Sequence, residues 1–307
     1  MEVDPPRLYH FPTSFHSQKV MLALAEKGIP YRSRQVNLGV SENYTSWFLK
    51  INPKAQVPVL EDNDKYIIDS AAIIRYLDDV YEGPLLMPPI GEKKCSYYQE
   101  SLQSVKVEVL TFGAVLYPHL VKNCSIPDVI QERMCKAVMS AQKSHKLREL
   151  MKDVEPDVKV IFEKKIAESE EFEERMRHED AVVAELEKVE KILKEINEEL
   201  KNKESGCWLC GPDFTVADIC LAILLQRLKL VGYASRLWEE DHLPHIEAYY
   251  VRLLLRKTFR HVCVGGASYM EMMRNTFGDV GTVSVILSAI TSLCLAIWLS
   301  FYMAGKT

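Results

Sequence analysis

Asn52-Pro53-Lys54-Ala55-Gln56-Val57-Pro58-Val59-Leu60-Glu61-Asp62-Asn63-Asp64-Lys65-Tyr66-Ile67-Ile68-Asp69-Ser70-Ala71-Ala72-Ile73-Ile74-Arg75-Tyr76-Leu77 is the stretch on which the fold turns. Residues 57–61 and 65–68 are short runs rich in β-branched and aromatic side chains. Between them lie Asp62, Asn63 and Asp64, residue types that tolerate the left-handed backbone of a tight turn, so the segment reads as a β-hairpin. Directly afterwards an apolar-periodic run reaches residue 81, and Ser70 reads as the N-cap of that helix, its hydroxyl answering an orphan amide of the first turn.

Upstream, 8–11 reads as a strand, 17–27 as an amphipathic helix stopped by Gly28 and Pro30, and 31–38 as a second strand. Short strands interleaved with helices define an α/β unit. Residues 1–90 form this unit together with a linker at 82–91, where Gly83, Pro84, Pro88, Pro89 and Gly91 cluster. Beyond it β signals fade, and 91–265 reads as an all-helical domain. Within that domain 146–204 is a charged insertion, more than half of it Asp, Glu, Lys or Arg. Through its end runs a narrow apolar seam, Val182, Leu186, Val189, Leu193, Ile196 and Leu200, at alternating steps of four and three. The seam has coiled-coil spacing but is short, so it packs into the domain or onto a second copy of the chain in a homodimer. Thr215 and Asp218 then have capping-box spacing, with Asp standing for the usual Glu or Gln, and start a buried helix over 216–230. The basic, apolar stretch 249–264 has two readings: a helix lying on anionic headgroups, or a last packed helix with a basic outer face.

The run 280–304 contains no Asp, Glu, Lys or Arg and is bounded by Asp279 and Lys306. As a helix at ~1.5 Å per residue it reaches roughly 37 Å, more than the ~30 Å hydrocarbon core of a bilayer. It therefore reads as a transmembrane tail anchor, preceded by a juxtamembrane linker at 266–279, with Trp298 and Tyr302 near an interface. This topology leaves residues 1–279 facing the cytosol. No basic n-region with an apolar core opens the chain, so secretory entry is not expected, and eight scattered cysteines read as reduced thiols. With 48% hydrophobic residues, 26% charged residues and a formal charge of −5, the chain is neither a disordered polyelectrolyte nor a basic nucleic-acid binder. Cys207 and Cys210 have C-x-x-C spacing but no second pair or His tract, so no metal site is expected.

The segments 52–60 and 69–77 and the capping box at Thr215 and Asp218 resemble the glutathione transferase superfamily over about residues 8–262. That resemblance implies an α/β thioredoxin-like N-terminal domain followed by an all-α glutathione-transferase-like domain. Trp208-Leu209-Cys210-Gly211, Arg256-Lys257-Thr258-Phe259, Ser14-Phe15, Ser17-Gln18-Lys19-Val20, the charged insertion and the apolar tail narrow it. Together they are similar to the ganglioside-induced differentiation-associated protein family, transferase-like proteins tail-anchored in the mitochondrial outer membrane. The family implies a role in mitochondrial fission and network dynamics, with fission or organelle-contact proteins as partners. The weakly basic stretch before the span and the single Lys306 after it leave peroxisomal and endoplasmic reticulum membranes as alternative addresses.

The resemblance also implies chemistry. Val57-Pro58 should be a cis peptide that turns the Val57 backbone outward, where glutathione, the expected co-substrate, could add like a strand. Ser70 at a helix start would receive the γ-glutamyl carboxylate. Asp69 stands where the family commonly has Glu or Gln, and Lys54 and Gln56 would meet the glycyl end. Ser14 stands where serine-type transferases hold the hydroxyl that stabilises the thiolate; the competing reading is a plain helix cap. The cysteine that some relatives use for reductase chemistry is absent, since Phe15 and His16 follow Ser14. Two functions stand side by side: an adaptor with a weak or repurposed transferase pocket, and an active membrane-bound glutathione transferase conjugating an electrophile.

Overall fold

The computed structural model describes residues 4–87, 92–152, 154–204 and 206–264. The juxtamembrane stretch 266–279 and the span 280–304 lie outside the described residues, as does the end of the linker at 88–91. The N-terminal unit runs β1 (Arg7–His10), α1 (Phe15–Lys27), β2 (Arg32–Gln35), α2 (Ser46–Ile51), β3 (Val59–Asp62), β4 (Lys65–Ile68) and α3 (Ser70–Val80). The helical unit comprises α4 (Glu92–Gln103), α5 (Val107–Leu116), α6 (Asp128–Met139), α7 (Gln142–Met151), α8 (Pro156–Arg175), α9 (Glu179–Lys201), α10 (Val216–Val231), α11 (Ala234–Leu237) and α12 (Pro244–Leu255).

The sheet order is β2-β1-β3-β4, with β1 parallel to β2 and antiparallel to β3, and β3 antiparallel to β4. The period of two along the strands divides the core. Leu8 pairs with Leu60 and faces the cluster shared with α1 and α3, whereas Tyr9 pairs with Val59 and faces Phe48 of α2. The hairpin closes through Asn63 and Asp64, both left-handed, as the sequence requires of its turn. β2 is shorter than the expected 31–38: after Val36 N–H bonds the His10 carbonyl, the Asn37 side chain accepts from Gly39 N–H and turns the chain into a 3-10 turn.

Two helix starts differ from expectation. α1 begins at Phe15, with Ser14 as its cap. Asp69, not Ser70, caps α3: at φ 80° its carboxylate accepts from Ala71 and Ala72 N–H, leaving Ser70 as the first helical residue. A carboxylate reaching two amides at the positive end of a helix outcompetes a hydroxyl reaching one.

α10 is buried along most of its length and forms the axis of the helical unit. At its start the capping box is complete: Asp218 accepts from Thr215 N–H at 2.9 Å and from its hydroxyl at 2.8 Å, while Leu209 N–H and the Tyr249 hydroxyl donate to the other oxygen. The α9 seam is core, not a free coiled-coil surface, since Val182, Leu186, Val189, Leu193 and Ile196 are fully buried. Gly113 permits this approach of α5 to α9, because a Cβ there would meet Val182 at 2.5 Å. The basic stretch 249–264 is packed too. α12 ends at Leu255; Arg256 then grips Glu26 of α1 with two guanidinium bonds, and Phe259 is fully buried. Among the described residues no helix is long and apolar enough to cross a membrane.

Candidate functional site

A cavity of about 730 Å³ opens between the sheet unit and helices α5 to α8. The seven candidate site residues all line it: Ser14, Lys54, Gln56, Val57, Pro58, Asp69 and Ser70. The loop that carries four of them is held by two asparagines. Asn43 Nδ2 donates to the Ala55 carbonyl at 2.8 Å, and Asn52 Nδ2 donates to the Gln56 carbonyl while its Oδ1 accepts from Lys54 N–H. These bonds maintain Ala55 at φ 53°, a left-handed conformation unfavourable to a residue with a Cβ. They deliver the chain into the cis Val57-Pro58 peptide, which enters β3.

Ser14 stands at the start of α1, where its Oγ accepts from Ser17 N–H at 3.4 Å. Accepting that bond leaves the hydroxyl proton free to point elsewhere, so the cap and a donor role toward the cavity are compatible. His16, also on the wall, has its imidazole pushed down to about 4, first by desolvation and then by Lys19 and Arg227, with Asp69 opposing. It is neutral at physiological pH.

The opposite wall was not legible. It consists of Glu108 and Phe112 from α5, Val138 from α6, Lys143 from α7, and Lys165, Phe172 and Glu173 from α8. Phe112 and Phe172 meet edge to face at 5.5 Å. Glu173 is buried; its Oε1 accepts from Ser144 N–H and the Ser169 hydroxyl, and Oε2 has no hydrogen-bond partner among the described residues. Lys143 opens on the cavity with its ammonium held below the usual lysine range, by desolvation first and then by Lys165. α7 and α8 are fastened to the sheet unit by a core of their own, in which Leu147, Phe162 and Ile166 pack on Leu49 and Ala55. Among the described residues no cluster of His, Cys, Asp or Glu could hold a metal ion.

A thioredoxin-like sheet, an all-helical partner unit and a cleft between them carrying these residues define the glutathione transferase fold. The family model described as glutathione S-transferase, N-terminal domain, matches residues 8–85, and that for the C-terminal domain matches 171–252. Among solved structures, the beta-etherase LigF from Sphingobium sp. strain SYK-6 superposes with a TM-score of 0.62 at 20% identity, covering 84% of this chain and 98% of that one. Glutathione S-transferase-I bound with lactoylglutathione superposes at 0.55 with 21% identity, over 85% and 99% of the two chains. Ganglioside-induced differentiation-associated protein 1-like 1 of Homo sapiens is 31% identical over 270 residues, 83% of this chain and 72% of that protein. The chain belongs to the ganglioside-induced differentiation-associated protein family.

Proposed function

We propose that the chain is a membrane-tethered protein whose cavity binds glutathione and whose work lies in fission and network dynamics at the mitochondrial outer membrane, with weak or no transferase turnover. One observation carries the glutathione reading: Ser14, Val57, Pro58 and Ser70, drawn from three separate segments, meet in one cavity. Glutathione is an extended peptide with a carboxylate at each end. Laid beside Val57 it adds like a strand, its γ-glutamyl carboxylate toward the start of α3 and its glycyl carboxylate toward Lys54. A solved protein of this fold bound with lactoylglutathione supports the assignment. Calorimetric titration of the full-length chain tests it: binding that is lost in Ser70→Ala is expected, and no heat at millimolar glutathione would overturn it.

The tether rests on the uncharged run 280–304, and the cellular role on family membership. An N-terminal fluorescent fusion should coincide with mitochondrial outer-membrane markers and become diffuse when 280–307 is deleted. Coincidence with peroxisomal or endoplasmic reticulum markers would redirect the address, and an unaltered effect on organelle shape after the deletion would refute the anchored mechanism.

A second reading, an active membrane-bound glutathione transferase, is favoured by Ser14 lining the same cavity as the Phe112 and Phe172 pair. Conjugation of 1-chloro-2,4-dinitrobenzene above the uncatalysed rate, lost in Ser14→Ala, would select it over the adaptor.

A further inference from the structure

Packing uses only one side of the chain between Ala248 and Val264. In α12 Tyr249 and Leu253 are buried, while Ala248, Val251 and Leu255 stand exposed at steps of three and four, Val251 at 54% and Leu255 at 74%. The chain turns at Arg256 and is helical again over 257–264. Phe259 and Val262 are buried there, and Lys257, Arg260, His261 and Val264 are exposed, again at helical spacing.

The two exposed stripes follow one another in the chain, the first apolar and the second basic. Four Lys or Arg stand in 244–264 against a single acid, Glu247, in a chain whose formal charge is −5. Two of the four are committed inward. Arg252 donates to the Cys207 carbonyl at 2.6 Å and lies 4.2 Å from the centre of the Trp208 ring, and Arg256 grips Glu26. Lys257 and Arg260 stand exposed, and among the described residues neither enters a salt bridge or a side-chain hydrogen bond. Water rewards the exposure of Leu255 poorly, whereas the boundary between anionic headgroups and acyl chains accepts an apolar stripe and unpaired cations together. The stripe is also where the tether leaves: only 265–279 separate Val264 from the uncharged run 280–304, and no described residue is nearer to that run in sequence.

We infer that the exposed face of 248–264 is a second membrane contact, in which Val251 and Leu255 settle into the headgroup boundary of an anionic leaflet while Lys257 and Arg260 meet its charged headgroups. The inference rests on the tethered reading of 280–304 and adds an orientation to it: the globular unit is held against the bilayer by this face as well as by its tether. Because the tether confines the unit near the leaflet, a contact too weak to recruit a soluble protein is enough to orient it. The two sequence readings of 249–264, packed helix and headgroup-facing helix, then describe opposite faces of one stretch.

The experiment places the full-length protein in nanodiscs of phosphatidylcholine alone and of phosphatidylcholine with phosphatidylserine, each carrying a gadolinium-chelating headgroup lipid as probe. Paramagnetic broadening of backbone amides reads their distance from the headgroups. Broadening at 251, 255 and 257–264 should be several-fold stronger in the anionic discs than in the neutral ones. Each Lys or Arg beside an anionic leaflet is worth about fivefold in the docked-to-free ratio, so Lys257→Glu together with Arg260→Glu should lower that ratio by more than about tenfold, as should ~0.5 M salt. Leu255→Ser should weaken docking while leaving its salt dependence in place. All three substitutions fall at exposed positions, and an unfolding temperature equal to that of wild type separates lost docking from lost fold. Equal broadening in neutral and anionic discs, broadening unchanged by the charge reversal, or a stripe covered by a second copy of the chain in discs holding two, would overturn the inference. Failure of the full-length protein to enter the discs would instead overturn the tethered reading beneath it.

Discussion

The two walls of the cavity are built in opposite ways. On the sheet side the chain itself is the instrument: Asn43 and Asn52 pin a loop, Asp69 caps a helix, and the backbone of residues 54–58 lies against the cavity. On the helical side the backbone is closed within helices, and side chains far apart in sequence, such as Glu108 and Glu173, supply the surface. A backbone wall recognises a ligand backbone and changes little with sequence drift. A side-chain wall can be rewritten one residue at a time, which suits the face that would meet a variable acceptor or partner.

The contrast can be broken at several points. The largest effect is expected at the frame both walls share: Asp218→Ala strips four hydrogen bonds from the start of α10 and should cost about 3–5 kcal/mol in urea unfolding, with both walls lost together. Phe162→Ala attacks only the helical side. It empties the core that fastens α7 and α8 to α2, and should cost about 3 kcal/mol while exposing those helices to limited proteolysis with the sheet unit intact.

The sheet side carries its own pH signature. Buried His10, bonded to the Ser33 hydroxyl, is held neutral with its pKa pushed down to about 4 by burial. The unfolded chain takes up this proton near pH 6.5, so the contribution is complete above that value and is lost as pH falls toward 4. The loss is at most on the order of 3 kcal/mol, and His10→Gln should flatten the slope of stability against pH by one proton.

Smaller effects sharpen the comparison. Asp69→Ala removes the α3 cap and should cost about 1 kcal/mol, with a larger proportional loss of glutathione binding than of stability. Lys143→Met, on the helical wall, should change stability by less than about 0.5 kcal/mol and leave glutathione affinity alone, altering only which second ligand is accepted.

What the sequence disclosed follows the same division. The hairpin, the Gly28 stop and the capping box depend on contacts within a few positions, because turn and cap chemistry is local, whereas the seven candidate residues on the sheet wall come from the family resemblance of the segments that carry them. Even there the cap is Asp69 and not Ser70, because either side chain can cap and the Asp69 carboxylate reaches two amides where a hydroxyl reaches one. The helical wall left no local trace. Lys143, Lys165 and Glu173 look like any other charges in 142–204, and nothing in their spacing reveals that they line the cavity. Lys19 was equally silent: its place in an amphipathic helix gives no hint of an ammonium buried beside Phe15. The apolar run 280–304 speaks plainly in sequence and lies outside the described residues.

The most direct measurement follows backbone amide resonances of the full-length protein in lipid nanodiscs as glutathione is added. Saturable shifts should appear at Val57 and Ser70 and along 14–16, with the amides of α11 and α12 unmoved. A spectrum unchanged at millimolar glutathione, or shifts confined to surfaces away from Val57 and Ser70, would contradict the glutathione site.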